Sequence, residues 1–158
     1  MTKLNSFKLH YEQTHNFVRT TLYWMVRTEI IDELVQETYL KAWRNFSSFK
    51  QESSFKTWIY RIARNTALDF LRKEKKPSLE APENKSSAFF ENRDLITKGL
   101  LRLSPKHREV FILFYKLELA QDEIAELIAI PIGTVKSRLH QAKKEFVAFL
   151  ENNEVHHG

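Results

Sequence analysis

The chain has 158 residues, 42% of them apolar, with 25 Lys and Arg against 20 Asp and Glu and a net charge of +5. That length fits one medium domain or two small ones with enough apolar material for their cores, which excludes disorder throughout. The absence of cysteine excludes disulfides, thiolate metal sites and thiol redox sensing, and the basic excess favours a polyanionic partner without proving one.

No apolar run approaches the roughly 20 residues of a spanning helix, and Met1 to Lys8 lacks a signal-peptide stretch. A cytoplasmic protein without membrane insertion is expected. Only three Gly and four Pro occur, and no stretch alternates with period two, so the expected fold is all-α: two small helical domains joined by a flexible linker.

Along the chain, Phe7, Tyr11, Phe17, Val18, Leu22 and Met25 predict one or two helices with an aromatic buried face. The next helix has Asp32 as its expected N-cap and Val35, Tyr39, Ala42, Trp43 and Phe46 as its inward stripe. Gln36, Glu37, Leu40, Lys41 and Arg44 fall on its outer arc. A leucine among charges fits either a partner-binding face or ordinary exposure.

A third helix covers residues 54–76, with Ile59, Ile62, Ala63, Thr66 and Phe70 expected inward and Arg61, Arg64, Asn65, Leu68 and Arg72 outward. Lys56, Arg61, Arg64, Arg72, Lys73, Lys75 and Lys76 oppose only Asp69 and Glu74. Phe49, Phe55, Trp58 and Tyr60 interleave with these cations, the combination that grips single-stranded nucleic acid by base stacking and phosphate attraction. A packed aromatic core accounts for the same rings, and composition leaves both readings open.

From Glu74 to Asn92 the apolar periodicity is lost and Pro, Ser, Lys and Glu accumulate. The expected organisation is a first module over residues 1–76, a linker over 77–93, a second module over 94–152 and a tail over 153–158. In the second module, Ile124, Ala125, Leu127 and Ile128 recur at helical spacing, Pro131 interrupts, and Val135, Leu139 and Ala142 resume the stripe. Opposite lie Gly133, Thr134, Lys136, Ser137, His140 and Gln141, with Arg138, Lys143 and Lys144 placed for flanking phosphates. This is the pattern of a helix-turn-helix.

Four blocks in this order resemble the extracytoplasmic-function (ECF) sigma factors of the bacterial sigma-70 family. Residues 32–44 resemble region 2.2, residues 55–72 regions 2.3 and 2.4, residues 103–111 the opening of region 4, and residues 130–139 its recognition helix. The resemblance implies a promoter-specificity factor that binds core RNA polymerase through Gln36, Glu37, Leu40, Lys41 and Arg44. It implies minus-10 contacts, including a displaced single strand, at Phe49, Trp58, Tyr60, Arg61, Arg64, Asn65 and Arg72, with Asn65 and the loop from Phe49 to Ser54 where the family captures a flipped-out base. Such capture needs stacking and hydrogen bonds to offset extrusion, and an asparagine amide offers donor and acceptor.

In the second module the resemblance implies that Lys136, Ser137, His140 and Gln141 read the duplex minus-35 element, that Thr134 and Arg138 hold its backbone, and that Gly133 and Lys144 complete the contact. Pro131 and Gly133 are expected to let the helix start approach phosphate closely. Two positions depart from the family pattern. Ala129 stands where many relatives have glycine, and Gln141 where arginine is frequent, which favours adenine over guanine. The resemblance also implies regulation by an anti-sigma factor that sandwiches between the modules.

No catalytic residue, metal site or cofactor is expected, because Asp32, Glu33 and Glu37 fit cap and surface roles and the six His are scattered. The alternative reading is a stand-alone helix-turn-helix regulator, which has no need of the Gln36, Glu37 and Leu40 face.

Overall fold

The computed structural model describes residues 1–26, 29–75 and 95–157. Among these, every regular element is a helix. The chain divides into two compact units, Met1–Ala81 and Pro82–Gly158. The expected linker, residues 77–93, lies outside the described residues, as does Lys76.

The first unit is built from α1 (Lys3–Val26), α2 (Ile31–Asn45), a single 3-10 turn (Phe46–Ser48) and α3 (Phe55–Lys75). Each long helix packs against the other two. Val18, Leu22, Met25, Leu34, Val35, Ala42, Ile59 and Ala63 form the centre of the core. Four buried threonines are tolerated there because Thr14, Thr21, Thr38 and Thr66 donate to the carbonyls of His10, Phe17, Leu34 and Ile62, at 2.7, 2.8, 2.8 and 2.9 Å.

Several sequence expectations change at this level. The α1 stripe is one helix, and its Tyr11 is exposed while Val18, Leu22 and Met25 are buried. The residue before α2 is Ile30, without a side-chain cap, so Asp32 lies inside the first turn. From there its carboxylate accepts from Arg19 Nε of α1 at 3.2 Å and complements the helix dipole. The inward side of α3 is Phe55, Ile59, Tyr60, Ala63, Thr66 and Ala67, while Ile62, Leu68 and Phe70 are half-buried.

The second unit contains α4 (Leu95–Arg102), α5 (Pro105–Tyr115), α6 (Gln121–Ile128) and α7 (Ile132–His157). Ser104 caps α5 by accepting from the His107 N–H at 3.4 Å, with Pro105 in the first turn. Arg108 is buried, and its guanidinium donates to the carbonyls of Leu100, Leu101 and Leu103 at 3.0, 3.2 and 3.0 Å. It thereby closes the carboxyl end of α4, and burial lowers its pKa to about 10. Gly99 lets α4 approach α7 closely, since an added Cβ would lie 2.7 Å from the Phe146 ring.

The α6 to α7 turn is built around Ala129 in the left-handed conformation (φ 56°, ψ 50°). Ile130 N–H donates to Ala125 C=O at 3.1 Å, and Pro131 C=O accepts from Thr134 and Val135 at 2.9 and 3.2 Å. Ile124, Leu127, Ile128, Val135, Leu139 and Ala142 are buried between the two helices and their neighbours, whereas Ala125 is half-buried. The helix runs on to His157, so the expected tail 153–158 is helical as far as that residue.

Candidate functional site

Three surfaces gather the candidate residues, two on the first unit and one on the second. On the outer arc of α2, Gln36, Glu37, Leu40 and Arg44 are exposed, Leu40 by 47%. Lys41 is half-buried, because its ammonium pairs with Glu37 at 3.0 Å and donates to Thr66 of α3 at 3.3 Å. This leaves a leucine between an acidic and a basic flank. The arc continues into a groove of about 420 Å³ between α1 and α2, lined by Leu4, Phe7, Tyr11, Val35, Gln36, Tyr39, Leu40 and Trp43 among others. At the groove wall, Thr14 spends its hydroxyl proton on His10 C=O, so the buried Tyr39 hydroxyl donates to Thr14 at 2.8 Å. Burial pushes the Tyr39 phenol up to about 12.

The second surface joins α3 to the loop before it. The Ser54 hydroxyl accepts from Thr57 N–H at 3.1 Å and starts the helix. Arg61, Asn65 and Arg72 are exposed, Arg72 pairing with Asp69, and Arg64 is half-buried. Phe49 and Trp58 are half-buried with ring centroids 5.0 Å apart. Both lean on the buried Phe55, at 5.7 and 5.5 Å.

Tyr60 corrects the sequence expectation. It is 0% exposed and packs 5.9 Å from Phe17, because positions 60, 63 and 67 share the core-facing side of the helix. The open choice between stacking rings and core rings therefore divides: Tyr60 and Phe55 are core, and Phe49 and Trp58 sit at its rim.

Two features of this surface are invisible in the sequence pattern. His10 of α1 stacks at 4.3 Å, with an 11° interplanar angle, on Phe55, the ring on which both rim rings lean. Gln51, in the loop, has φ 58°, a conformation that costs a residue with a Cβ about 1–2 kcal/mol. Strain of this kind in a loop beside a ring cluster is held by its surroundings.

On the third surface, Gly133, Lys136, Ser137, His140, Gln141 and Lys144 are exposed along one side of α7, and Thr134 and Arg138 are half-buried beside them. Val135, Leu139 and Ala142 hold the opposite side in the core. A Cβ at Gly133 would meet nothing within 4 Å, so the start of α7 stands open on that side. The Gln141 amide donates through Nε2 to Glu145 Oε1 at 3.0 Å.

No group of three or more metal-ligating side chains occurs among the described residues, and no helix among them is long and apolar enough to cross a membrane.

Comparison with known proteins accounts for both units. The sequence matches Sigma-70 region 2 over residues 10–76 and Sigma-70, region 4 over residues 93–146. It is 34% identical over 135 residues to the ECF RNA polymerase sigma factor SigW of Bacillus subtilis, covering 72% of this chain and 71% of that protein. It is 30% identical over 161 residues to the ECF RNA polymerase sigma-E factor of Haemophilus influenzae, covering 88% and 84%. Its fold is similar to CnrH, solved in complex with the cytosolic domain of CnrY (TM-score 0.72, 20% identity, 95% of this chain and 90% of that chain). It is also similar to the sigma factor RpoE solved with the anti-sigma factor NepR from Bartonella quintana (TM-score 0.71, 23% identity, 92% and 97%).

Proposed function

The chain belongs to the ECF sigma factors of the sigma-70 family, and from that membership we propose how its three surfaces divide the work. As a sigma factor it binds core RNA polymerase and directs initiation at specific promoters. The exposed arc of α2 docks on the polymerase, with Leu40 as the apolar anchor and Gln36, Glu37, Lys41 and Arg44 as its polar surround. Arg61, Arg64 and Arg72 draw in the minus-10 phosphates, Phe49 and Trp58 offer stacking faces, and Asn65 reads a captured base edge.

On the second unit, Lys136, Ser137, His140 and Gln141 face the major groove of the minus-35 element. Thr134, Arg138, Lys144 and the open helix start at Gly133 engage the backbone. Its role is binding and positioning in the cytoplasm rather than catalysis, with residues 1–76 and 94–152 as the working domains. Because CnrH and RpoE were each solved with a partner protein, an anti-sigma factor is the proposed regulator.

The observation that carries this division is that one unit holds both the exposed leucine of α2 and, on α3 and the loop before it, a basic strip with rim aromatics, while the helix-turn-helix lies in the other unit. A stand-alone regulator needs only the second unit. The test is run-off transcription with purified core RNA polymerase and a promoter library. Transcripts from defined starts that share minus-35 and minus-10 elements support the reading, and DNA binding without transcripts or polymerase association would favour the regulator.

A further inference from the structure

We infer that Glu145 is a positioning residue for promoter reading: one turn beyond Gln141, it fixes which way that side chain's amide points, and His107 of α5 anchors it there. The inference rests on Gln141 being a minus-35 contact. Glu145 Oε1 accepts from Gln141 Nε2 at 3.0 Å, and Glu145 Oε2 lies 3.3 Å from His107 Nδ1. The two carboxylate oxygens are thus held from two different helices, which an ordinary surface pair one turn apart is not. The hydrogen bond from Gln141, followed by the His107 contacts, holds the Glu145 carboxyl below its usual range, so it is ionised at neutral pH.

An ionised carboxylate only accepts hydrogen bonds. The amide nitrogen of Gln141 must therefore turn toward it, and the flip of the side chain is settled before DNA arrives. One amide N–H is used, leaving the carbonyl oxygen and the second N–H for a base edge. Adenine presents one donor and one acceptor in the major groove and complements that pair, whereas guanine presents two acceptors to a single remaining donor. Glu145 thereby sharpens the choice of adenine without touching DNA.

The experiment reads minus-35 preference with the holoenzyme on a randomised library, using Gln141→Ala, Glu145→Ala, Glu145→Gln and the double Gln141→Ala/Glu145→Ala. Gln141→Ala is expected to flatten preference at one base pair by about tenfold, and Glu145→Ala by about threefold at that same base pair, with the unfolding midpoint unchanged. Glu145→Gln, whose amide can donate as well as accept, should leave the flip unsettled and lose about as much as Glu145→Ala, and the double variant should match Gln141→Ala alone. If Gln141→Ala alters the preference and Glu145→Ala does not, or alters all positions evenly, the positioning role is overturned and the Gln141 contact stands. If Gln141→Ala changes nothing, both fall.

Discussion

Helices α3 and α7 each present a strip of polar and basic side chains opposite a buried stripe, yet they are built in opposite ways. On α3 the candidate readers are fused with the core: Trp58 and Phe49 lean on Phe55, which stacks on His10 and lies 6.3 Å from Phe7. On α7 the strip from Lys136 to Lys144 and the stripe Val135, Leu139 and Ala142 share a helix but no contacts of that kind. A surface that holds unstacked bases needs rings, and rings bring their burial with them. A surface that reads base edges needs only hydrogen-bonding side chains, which exchange without disturbing packing. Promoter opening and stability should therefore be coupled in the first unit and separable in the second.

The largest effect that tests this contrast comes from Phe55→Ala, which removes a buried ring touching five other rings. The first unit should lose about 3–5 kcal/mol of stability and promoter opening should fall with it, as followed by denaturant unfolding and permanganate reactivity of the open strand. Retained stability with lost opening would uncouple the two. Next, Gly99→Ala should cost the second unit about 1–3 kcal/mol, because its Cβ would lie 2.7 Å from the Phe146 ring. Minus-35 preference among the folded molecules should be untouched, a prediction that library selection checks.

A smaller change of opposite sign is expected from Ala129→Gly. The left-handed backbone at Ala129 suits glycine, so the substitution should stabilise the second unit by about 1 kcal/mol, seen as a higher unfolding midpoint. The smallest stability change, within about 0.5 kcal/mol, should accompany Gln141→Arg, yet this variant should move minus-35 preference from adenine toward guanine. A stability loss of several kcal/mol there would show that reading and packing are fused on α7 as well.

What was legible in the sequence follows the same division. Apolar spacing gave away α6 and α7, because the stripe of Val135, Leu139 and Ala142 has nothing on the other side to confuse it. The outer arc of α2 was equally plain, since Gln36, Glu37, Leu40 and Arg44 are exposed. On α3 the pattern could not separate Tyr60 from Trp58: both are aromatic, both stand among cations, and only their angle around the helix sends one to the centre of the core and the other to its rim. Features made between one helix and another left no signal in the periodicity of either. The Arg108 closure of α4 and the reach of Glu145 to His107 across 38 positions depend on how helices pack. Asp32 suits a cap by residue type, whereas its carboxylate, within the first turn of α2, pairs with Arg19.

If the α2 arc is what sets this chain apart from a protein that binds DNA alone, a change there must cost polymerase affinity and nothing else. The most direct test is the affinity for core RNA polymerase of the wild type and of Leu40→Glu, a change at an exposed side chain that leaves the core intact. Affinity should fall by about tenfold or more while the unfolding midpoint and binding to minus-35 duplex stay as they were. Undiminished polymerase affinity would contradict the assignment of that face.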